Sequence, residues 1–455
     1  MRKNKIILLA IVLLSAAYVQ AQQNMQDSVS RAGGAHYFSL QDALNYAEKN
    51  NVQVKNALLD IRLQEQVNRE VTGMAYPQIT ASGQLTYNAK LPTSLVPAEF
   101  FGGQPGEYAR LVFGVKWTST GGVSLSQILF DGQVFTGLQA RKTLIDFQEK
   151  NVEVTKEQVR ANITKIYYQL VVSRRQVELL DSNIALINKL RRDMKIMYDN
   201  GFAERLDIDK QDVALANLQS AKTTVLNQIN NGYLGLKVLM GMPVHDELIL
   251  TDNLNDDDVK EGVLEAMNFD YSLRRDYQVA LAGVKLGEYE IQRHKYSKLP
   301  QLSLSGYYNQ MAQSNRFDIF SGNSYWSPVS AISLNLRMPI FTGFATNARI
   351  EQARIKLRQT QNNIEALELN IDREIQTAVN NFKSAIQNLD YQKNNMALAQ
   401  KVYDQTKKKF EIGTGSQLEI NQARIELESA QNNYYNALYN AVVARVDFLK
   451  ATGKL

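Results

Sequence analysis

The chain is 455 residues long, with 51 Lys and Arg against 46 Asp and Glu, and its formal charge of +5 is too small to point to a nucleic-acid partner. It has no cysteine and three scattered histidines (His36, His245, His294), which excludes disulfides, a thiolate metal site, a lipid-bearing cysteine and a histidine-rich metal cluster. No phosphate-binding loop, Gly-x-Ser-x-Gly or His-Glu-x-x-His motif is present, so nothing points to an enzyme or a cofactor.

Residues 1–21 read as a secretory signal peptide, with Arg2, Lys3 and Lys5 as its basic start, 6–14 as its apolar run and Val19-Gln20-Ala21 as its cleavage site. The apolar run is shorter than the roughly 20 residues that a spanning helix needs. The mature chain is expected to start at Gln22 with a charge of about +2, and 22–39 to be an N-terminal extension. A first repeat, 40–253, then predicts a helix over 40–75, strands over about 76–88 and 111–130, a long helix over about 134–200 and a shorter one over about 203–240. A second, 254–455, predicts a helix over about 259–298, strands over about 299–311 and 328–342, a long helix over about 344–412 and a shorter one over about 416–452. No stretch after the leader is apolar enough for a membrane helix. The chain is therefore exported and is periplasmic, secreted, or inserted in an outer membrane as strands.

The two repeats are marked by paired motifs. Tyr76-Pro77-Gln78-Ile79 and Leu299-Pro300-Gln301-Leu302 each open an alternating segment, and Phe130-Asp131-Gly132 and Phe341-Thr342-Gly343 each close one. Tyr198-Asp199-Asn200-Gly201 corresponds to Phe410-Glu411-Ile412-Gly413. The offset is 223 residues at Pro77 and Pro300, but 212 at Gly201 and Gly413 and again at Gly241 and Gly453. A length change confined to the loop between two strands is what a structural repeat tolerates. Segments 138–200 and 344–412 contain neither Gly nor Pro, and as helices each would reach on the order of 90–100 Å. Val159, Ile163, Ile166 and Leu170, and likewise Ile371, Ile375, Ala378 and Phe382, follow coiled-coil spacing. The other helices are about half as long, so two end to end would span one long helix.

Seven of the eight prolines lie at or between the expected strands, and Pro243 follows the helix-ending Gly241. The strands alternate: Ile79, Ala81, Gly83, Leu85 and Tyr87 share one face, as do Leu302, Leu304, Gly306 and Tyr308, and Ile332, Leu334, Leu336 and Met338. Leu111, Phe113, Val115 and Trp117 suggest a fourth apolar face, continued by Val123 and Leu125. The opposite faces are small and polar. A half-buried sheet in a soluble domain has the same period. Here, however, Trp117 and Trp326, with Tyr87, Tyr108, Tyr307 and Tyr325, suit a membrane-interface girdle, and no second apolar layer remains to cover the sheet. Four strands cannot close a barrel, and open edges in lipid leave backbone groups unpaired, so other copies have to complete it. Three copies give about twelve strands and a water-filled lumen, and the arithmetic alone also allows two or four.

Duplication, Pro-Gln strand starts, Phe-x-Gly strand ends and glycine turns in this order resemble the TolC-like outer-membrane efflux protein family, over about 40–453. The resemblance implies a mixed fold of α-helical coiled-coil tunnel and β-barrel. It further implies a homotrimer with twelve strands in the outer membrane, a periplasmic tunnel, and docking to a periplasmic adaptor and an inner-membrane transporter. Within the segment 410–419, Phe410 matches the family's aromatic before the tip glycine and Glu419 its first acid. Gln422 and Gly415 depart from its second acid and its basic residue, which belong to the latch that shuts some members. The same offset in the first repeat puts Tyr198 and Asp207 opposite Phe410 and Glu419. Glu419 and Asp207 are expected to form acidic rings that favour cations, with Phe410, Tyr198 and Gln422 at the constriction. Acids of this kind also serve ordinary helix starts. Gly201, Phe202, Ala203, Gly413 and Thr414 are expected to touch the adaptor, although the glycines also suit a plain helix-to-helix turn. The expected role is passive export of small molecules such as drugs and toxic compounds. The alternatives are a conduit for type I protein secretion and a barrel-anchored coiled-coil surface protein.

Overall fold

The computed structural model describes residues 35–254, 259, 269–321 and 324–455, so the expected leader lies outside the described residues. In chain order the first half contains β1 (Ala35–Phe38), α1 (Leu40–Asn50), α2 (Val52–Gly73), β2 (Gln78–Tyr87), β3 (Thr93–Pro97), β4 (Tyr108–Val112), β5 (Trp117–Phe130), α3 (Gly132–Asp199), α4 (Arg205–Met240) and β6 (Glu247–Leu250). The second contains α5 (Arg275–Tyr296), β7 (Gln301–Ser314), β8 (Trp326–Arg337), α6 (Ala345–Glu411) and α7 (Gln417–Ala451).

The 68 residues of α3 and the 67 of α6 rise about 100 Å each. Asp131 caps α3, its carboxylate accepting from the Gln133 amide at 2.8 Å. The apolar stripe of α3 is its packing seam: Val159, Ile163, Leu170, Leu180 and Ile187 are buried, as are Ile371, Ala378, Phe382 and Leu389 of α6. Helices α2 and α4 lie along α3, and α5 and α7 lie along α6. Contacts of α3 with α5 and α7 join the two halves.

The helix expected over 40–75 breaks at Asn51, which ends α1 and caps α2 by accepting from the amides of Gln53 and Val54. Buried Asn51 also donates to the Leu239 carbonyl at the end of α4 (2.5 Å). Gly241, with φ +73, closes α4 so tightly against α1 that a Cβ would lie 2.2 Å from the Asn50 carbonyl oxygen. A second junction is built alike. Buried Arg274 precedes α5 and donates to the Ala451 carbonyl at the end of α7 (3.2 Å), and Gly453, with φ +69, would push a Cβ to 2.7 Å from the Leu273 oxygen. Arg274 also binds Asp276 (2.6 Å) and Glu374 of α6 (3.1 Å). Burial alone would raise the Asp276 carboxyl, but the Arg274 guanidinium outweighs it and holds that pKa below the usual value. Glu157 of α3, beside the same network, has its pKa raised by burial, against the pull of Arg274, Lys450 and Arg275.

Strands β2, β5, β7 and β8 form one antiparallel sheet in that order, and every strand meets its helix at the same end. The register puts Ile79, Leu125, Gly306 and Ile332 in one row and Thr80, Ser124, Tyr307 and Ala331 in the next, on the opposite face. The helix expected over about 259–298 is interrupted by a 3₁₀ turn, Tyr271–Leu273, and the extended Arg274, and its part over 260–268 lies outside the described residues. Three expectations about the strands also need correction. Segment 111–130 is not one strand. Gly114, at φ +112, breaks it, so Leu111 belongs to a separate β3–β4 hairpin and β5 starts at Trp117. The last strand ends at Arg337, before Pro339, which has no N–H to offer a ladder. The extension contains β1, paired in parallel with β6.

Gly241→Ala should lower stability by at least about 2 kcal/mol, because the left-handed backbone and the Asn50 contact both oppose a Cβ. Gly235→Ala, in the same helix with open space around it, should instead raise stability by about 0.5–1 kcal/mol. Thermal unfolding followed by helical circular dichroism in detergent separates the two. Arg274→Met should cost about 2–3 kcal/mol at neutral pH by leaving two carboxylates unpaired. The Asp276 share of this loss is present above about pH 4 and fades as pH falls through the depressed pKa, so the gap to wild type should narrow in acid. Glu157 has the opposite sign: its contribution is complete in acid and lost as pH rises through the raised pKa. The midpoint of Glu157→Gln relative to wild type should therefore climb between pH 4 and pH 7.

Candidate pore mouth and membrane belts

At the end of the helical body away from the sheet, two hairpin turns are built on one plan. After α3, Gly201 has φ +76, its amide reaches the Tyr198 carbonyl (2.9 Å) and the Phe202 amide reaches Met197 (2.8 Å). After α6, Gly413 has φ +78, its amide reaches Phe410 (3.0 Å) and the Thr414 amide reaches Lys409 (2.9 Å). This left-handed closure satisfies the last carbonyls of each helix. Each following helix opens with an acid at its third position. The Asp207 carboxylate accepts from the Glu204 amide at 3.4 Å, and the Glu419 carboxylate from the Ser416 amide at 3.4 Å, while the Ser416 hydroxyl accepts from the Glu419 amide at 3.2 Å.

The expected constriction residues therefore divide. Asp207 and Glu419 occupy equivalent capping positions, Asp207 also pairing with Lys210 at 3.3 Å. Further along, Gln211 of α4 donates to Asn421 of α7 at 3.4 Å, so the two acids lie about one turn or less beyond a point where α4 and α7 meet. Gln422 donates to Glu426 at 2.9 Å, Tyr198 is exposed, and Phe410 is half buried against the cluster of Leu190, Tyr403 and Ile420. Phe410 also lines a cavity of about 330 Å³ between the ends of α3 and α6, together with Leu186, Met197 and Ile420. Among the expected contact residues, Gly201, Phe202, Gly413 and Thr414 are exposed and Ala203 is half buried. Phe202 (79% exposed) stands out, and three residues the sequence reading passed over join it: Leu206 (56%), Ile412 (73%) and Leu418 (78%). Scattered apolar residues in two turns are inconspicuous in a sequence, and only the hairpin geometry puts them at one tip.

The sheet has an aromatic cluster at each end. At the far end Tyr87 touches Trp117 (4.6 Å between ring centres), Trp117 touches Phe317 (4.7 Å), Phe317 meets Phe320 (6.5 Å) and Phe320 meets Trp326 (6.4 Å). Near the helices, Phe130 pairs with Phe135 and Phe341 with Phe344, at 5.6 and 5.5 Å. A bulge between Ile128 and Phe130 turns Phe130 onto the apolar face opposite Leu302. At about 3.3 Å per residue and a tilt of about 40°, the 14 residues of β5 separate the clusters by about 33 Å, which brackets the roughly 25 Å apolar band of an outer-membrane barrel. Of the residues expected in a girdle, Tyr87, Trp117 and Trp326 lie in the far cluster, and exposed Tyr325 adjoins it. Tyr307 does not: it sits in mid-sheet on the polar face, because it follows Gly306 by one residue in a strand of period two. Tyr108 lies in the β3–β4 hairpin, outside the sheet.

Among the described residues, no group of acids and histidines could hold a metal, and no helix is long and apolar enough to cross a membrane. Ser416→Ala should remove about 1 kcal/mol from the start of α7 and speed amide hydrogen exchange over 417–420 roughly fivefold, with the sheet unaffected.

Residues 272–454 match the protein family described as outer membrane efflux protein. Over 457 aligned residues the chain is 22% identical to outer membrane efflux protein BepC of Brucella suis, covering 98% of this chain and 90% of that one. It is 20% identical to outer membrane protein TolC of Vibrio cholerae over 340 residues, 73% of this chain and 76% of the other. Among solved structures, CusC superposes with a TM-score of 0.73 at 16% identity, covering 93% and 95% of the two chains. The Campylobacter jejuni CmeC outer membrane channel superposes with 0.69 at 18% identity, covering 91% and 85%.

Proposed function

The chain belongs, through its second half, to the outer membrane efflux protein family, and from that premise we propose that three copies form one passive export conduit. Their sheets close a twelve-stranded barrel in the outer membrane, and the two repeats, 40–253 and 254–455, continue it as a periplasmic helical tunnel. Small molecules, drugs and toxic compounds among them, enter from a periplasmic adaptor and an inner-membrane pump and leave without chemistry.

The observation that carries this reading is the sheet itself. Among the described residues it has one apolar face, no covering layer and two open edges, β2 and β8. Such a sheet is stable in lipid only when its edges pair with further strands. The helices support the same assembly, since α2 leaves Leu59 and Leu63 exposed and α6 leaves Leu369 and Leu398 exposed, apolar surface that neighbouring copies would cover. At the tips, Asp207 and Glu419 act both as capping groups and as carboxylate rings that favour cations. Phe202, Gly201, Ala203, Gly413 and Thr414 present the adaptor-facing surface, with Leu206, Ile412 and Leu418 beside them.

Single-channel conductance in a planar bilayer tests this, comparing wild type with Glu419→Ala and Asp207→Asn. Discrete, cation-preferring steps are expected, with the cation preference of Glu419→Ala reduced at least twofold. Absence of channels from all three proteins would overturn the conduit. Channels with unchanged selectivity would limit the two acids to capping.

A further inference from the structure

Twenty-nine residues separate β2 from β5, against 11 between β7 and β8. The longer connection is a built object. Strands β3 and β4 pair through Thr93 with Val112, Leu95 with Arg110 and Pro97 with Tyr108, and a short 3₁₀ turn, Ala98–Phe101, caps the ribbon. One face carries Leu95, Pro97, Tyr108 and Val112, all exposed, and the turn adds Phe100 (77% exposed) and Phe101. Among the described residues, both strands pair only with each other.

This hairpin is out of place in water and in lipid alike. A lone two-stranded ribbon is marginal in water, and its apolar face calls for cover. Two unpaired edges and Arg110 in the middle of that face bar it from hydrocarbon. The cover is therefore protein, at the barrel mouth. We propose that the occupant is the same hairpin of the neighbouring copies, so that three hairpins meet over the outer mouth and close it from outside. The inference rests on the trimeric-barrel reading.

Lengths and charges favour this partner. Five-residue strands and the 3₁₀ turn reach about 25 Å from the rim. A barrel of about twelve strands, spaced about 4.8 Å and tilted about 40°, has a radius of only about 12 Å. Hairpins folded over the mouth cannot avoid one another. Glu107 and Arg110 make no ion pair among the described residues, and Glu107 lies in the turn just before β4 while Arg110 lies within it, which allows Glu107 of one copy to meet Arg110 of the next.

Because the chain has no cysteine, Phe100→Cys introduces a single thiol. Mild oxidation of the detergent-extracted trimer should give a reducible dimer band containing more than half the protein, since a three-fold meeting point can tie two of three thiols. Glu107→Arg in that background should cut the yield at least threefold, and adding Arg110→Glu should restore it. Replacing 91–114 with a three-residue turn should enlarge the single-channel conductance at least twofold. Light scattering keeps the two readings apart. A trimer that fails to crosslink, labels fully with a water-soluble maleimide and conducts unchanged without its hairpin would overturn the external closure and leave the barrel standing. A monomer would overturn both.

Discussion

A peptide group placed in hydrocarbon has no water to bond, and in the proposed barrel the sheet of β2, β5, β7 and β8 has to obey that rule at its two outer edges. Its inner pairings are complete within the chain, and its apolar face is uncovered. The remaining architecture is consistent with this one demand. Strands that enter and leave the membrane at the same end must hand over to helices on one side only, and both long helices start directly below the sheet, α3 behind the Asp131 cap and α6 behind Gly343 and Phe344. The two aromatic clusters lie where such a sheet would pass from lipid to headgroup.

Below the sheet, stability rests on coiled-coil seams and on two polar junctions. Buried polar groups are tolerated where every hydrogen bond is made. Asn51 caps α2 with its side-chain oxygen and holds the last turn of α4 with its amide nitrogen, while the Arg274 guanidinium donates to Asp276 and Glu374 and to the carbonyl at the end of α7. Their separation in the chain is the 223 residues of the Pro-Gln motifs, and the glycines beside them are separated by 212.

Much of this architecture is readable in the residues. Alternation in Ile79 to Tyr87 and in Leu302 to Tyr308 reports a pleat, which any strand must follow, and the absence of Gly and Pro over 138–200 reports an unbroken helix. What the residues do not reveal depends on partners far away in the chain. Asn51 breaks a helix because of Leu239, a residue 188 positions on. Phe130 changes face because a bulge forms against β7, and Phe317 and Phe320 enter the aromatic belt because Trp117 lies across the sheet. At the hairpin tips, the acids at 207 and 419 are legible as helix-start residues, while the exposed Leu206 and Leu418 beside them follow no period. Their proximity comes from two turns folding alike.

The junctions also set a mechanical ratio. Packing of Ala47 and Met240 around Ile163 puts the first junction about 54 Å of helix above the end of α3. Above it the long helices are flanked by α2 and α5, and below it by α4 and α7. A hairpin pivoting at that height by about 10° would sweep its tip through about 9 Å, nearly a helix diameter. Were the lower hairpins to pivot there, the junction would be a fulcrum near the middle of a long lever, and a small angular change would become, at the hairpin tips, a displacement the size of a solute.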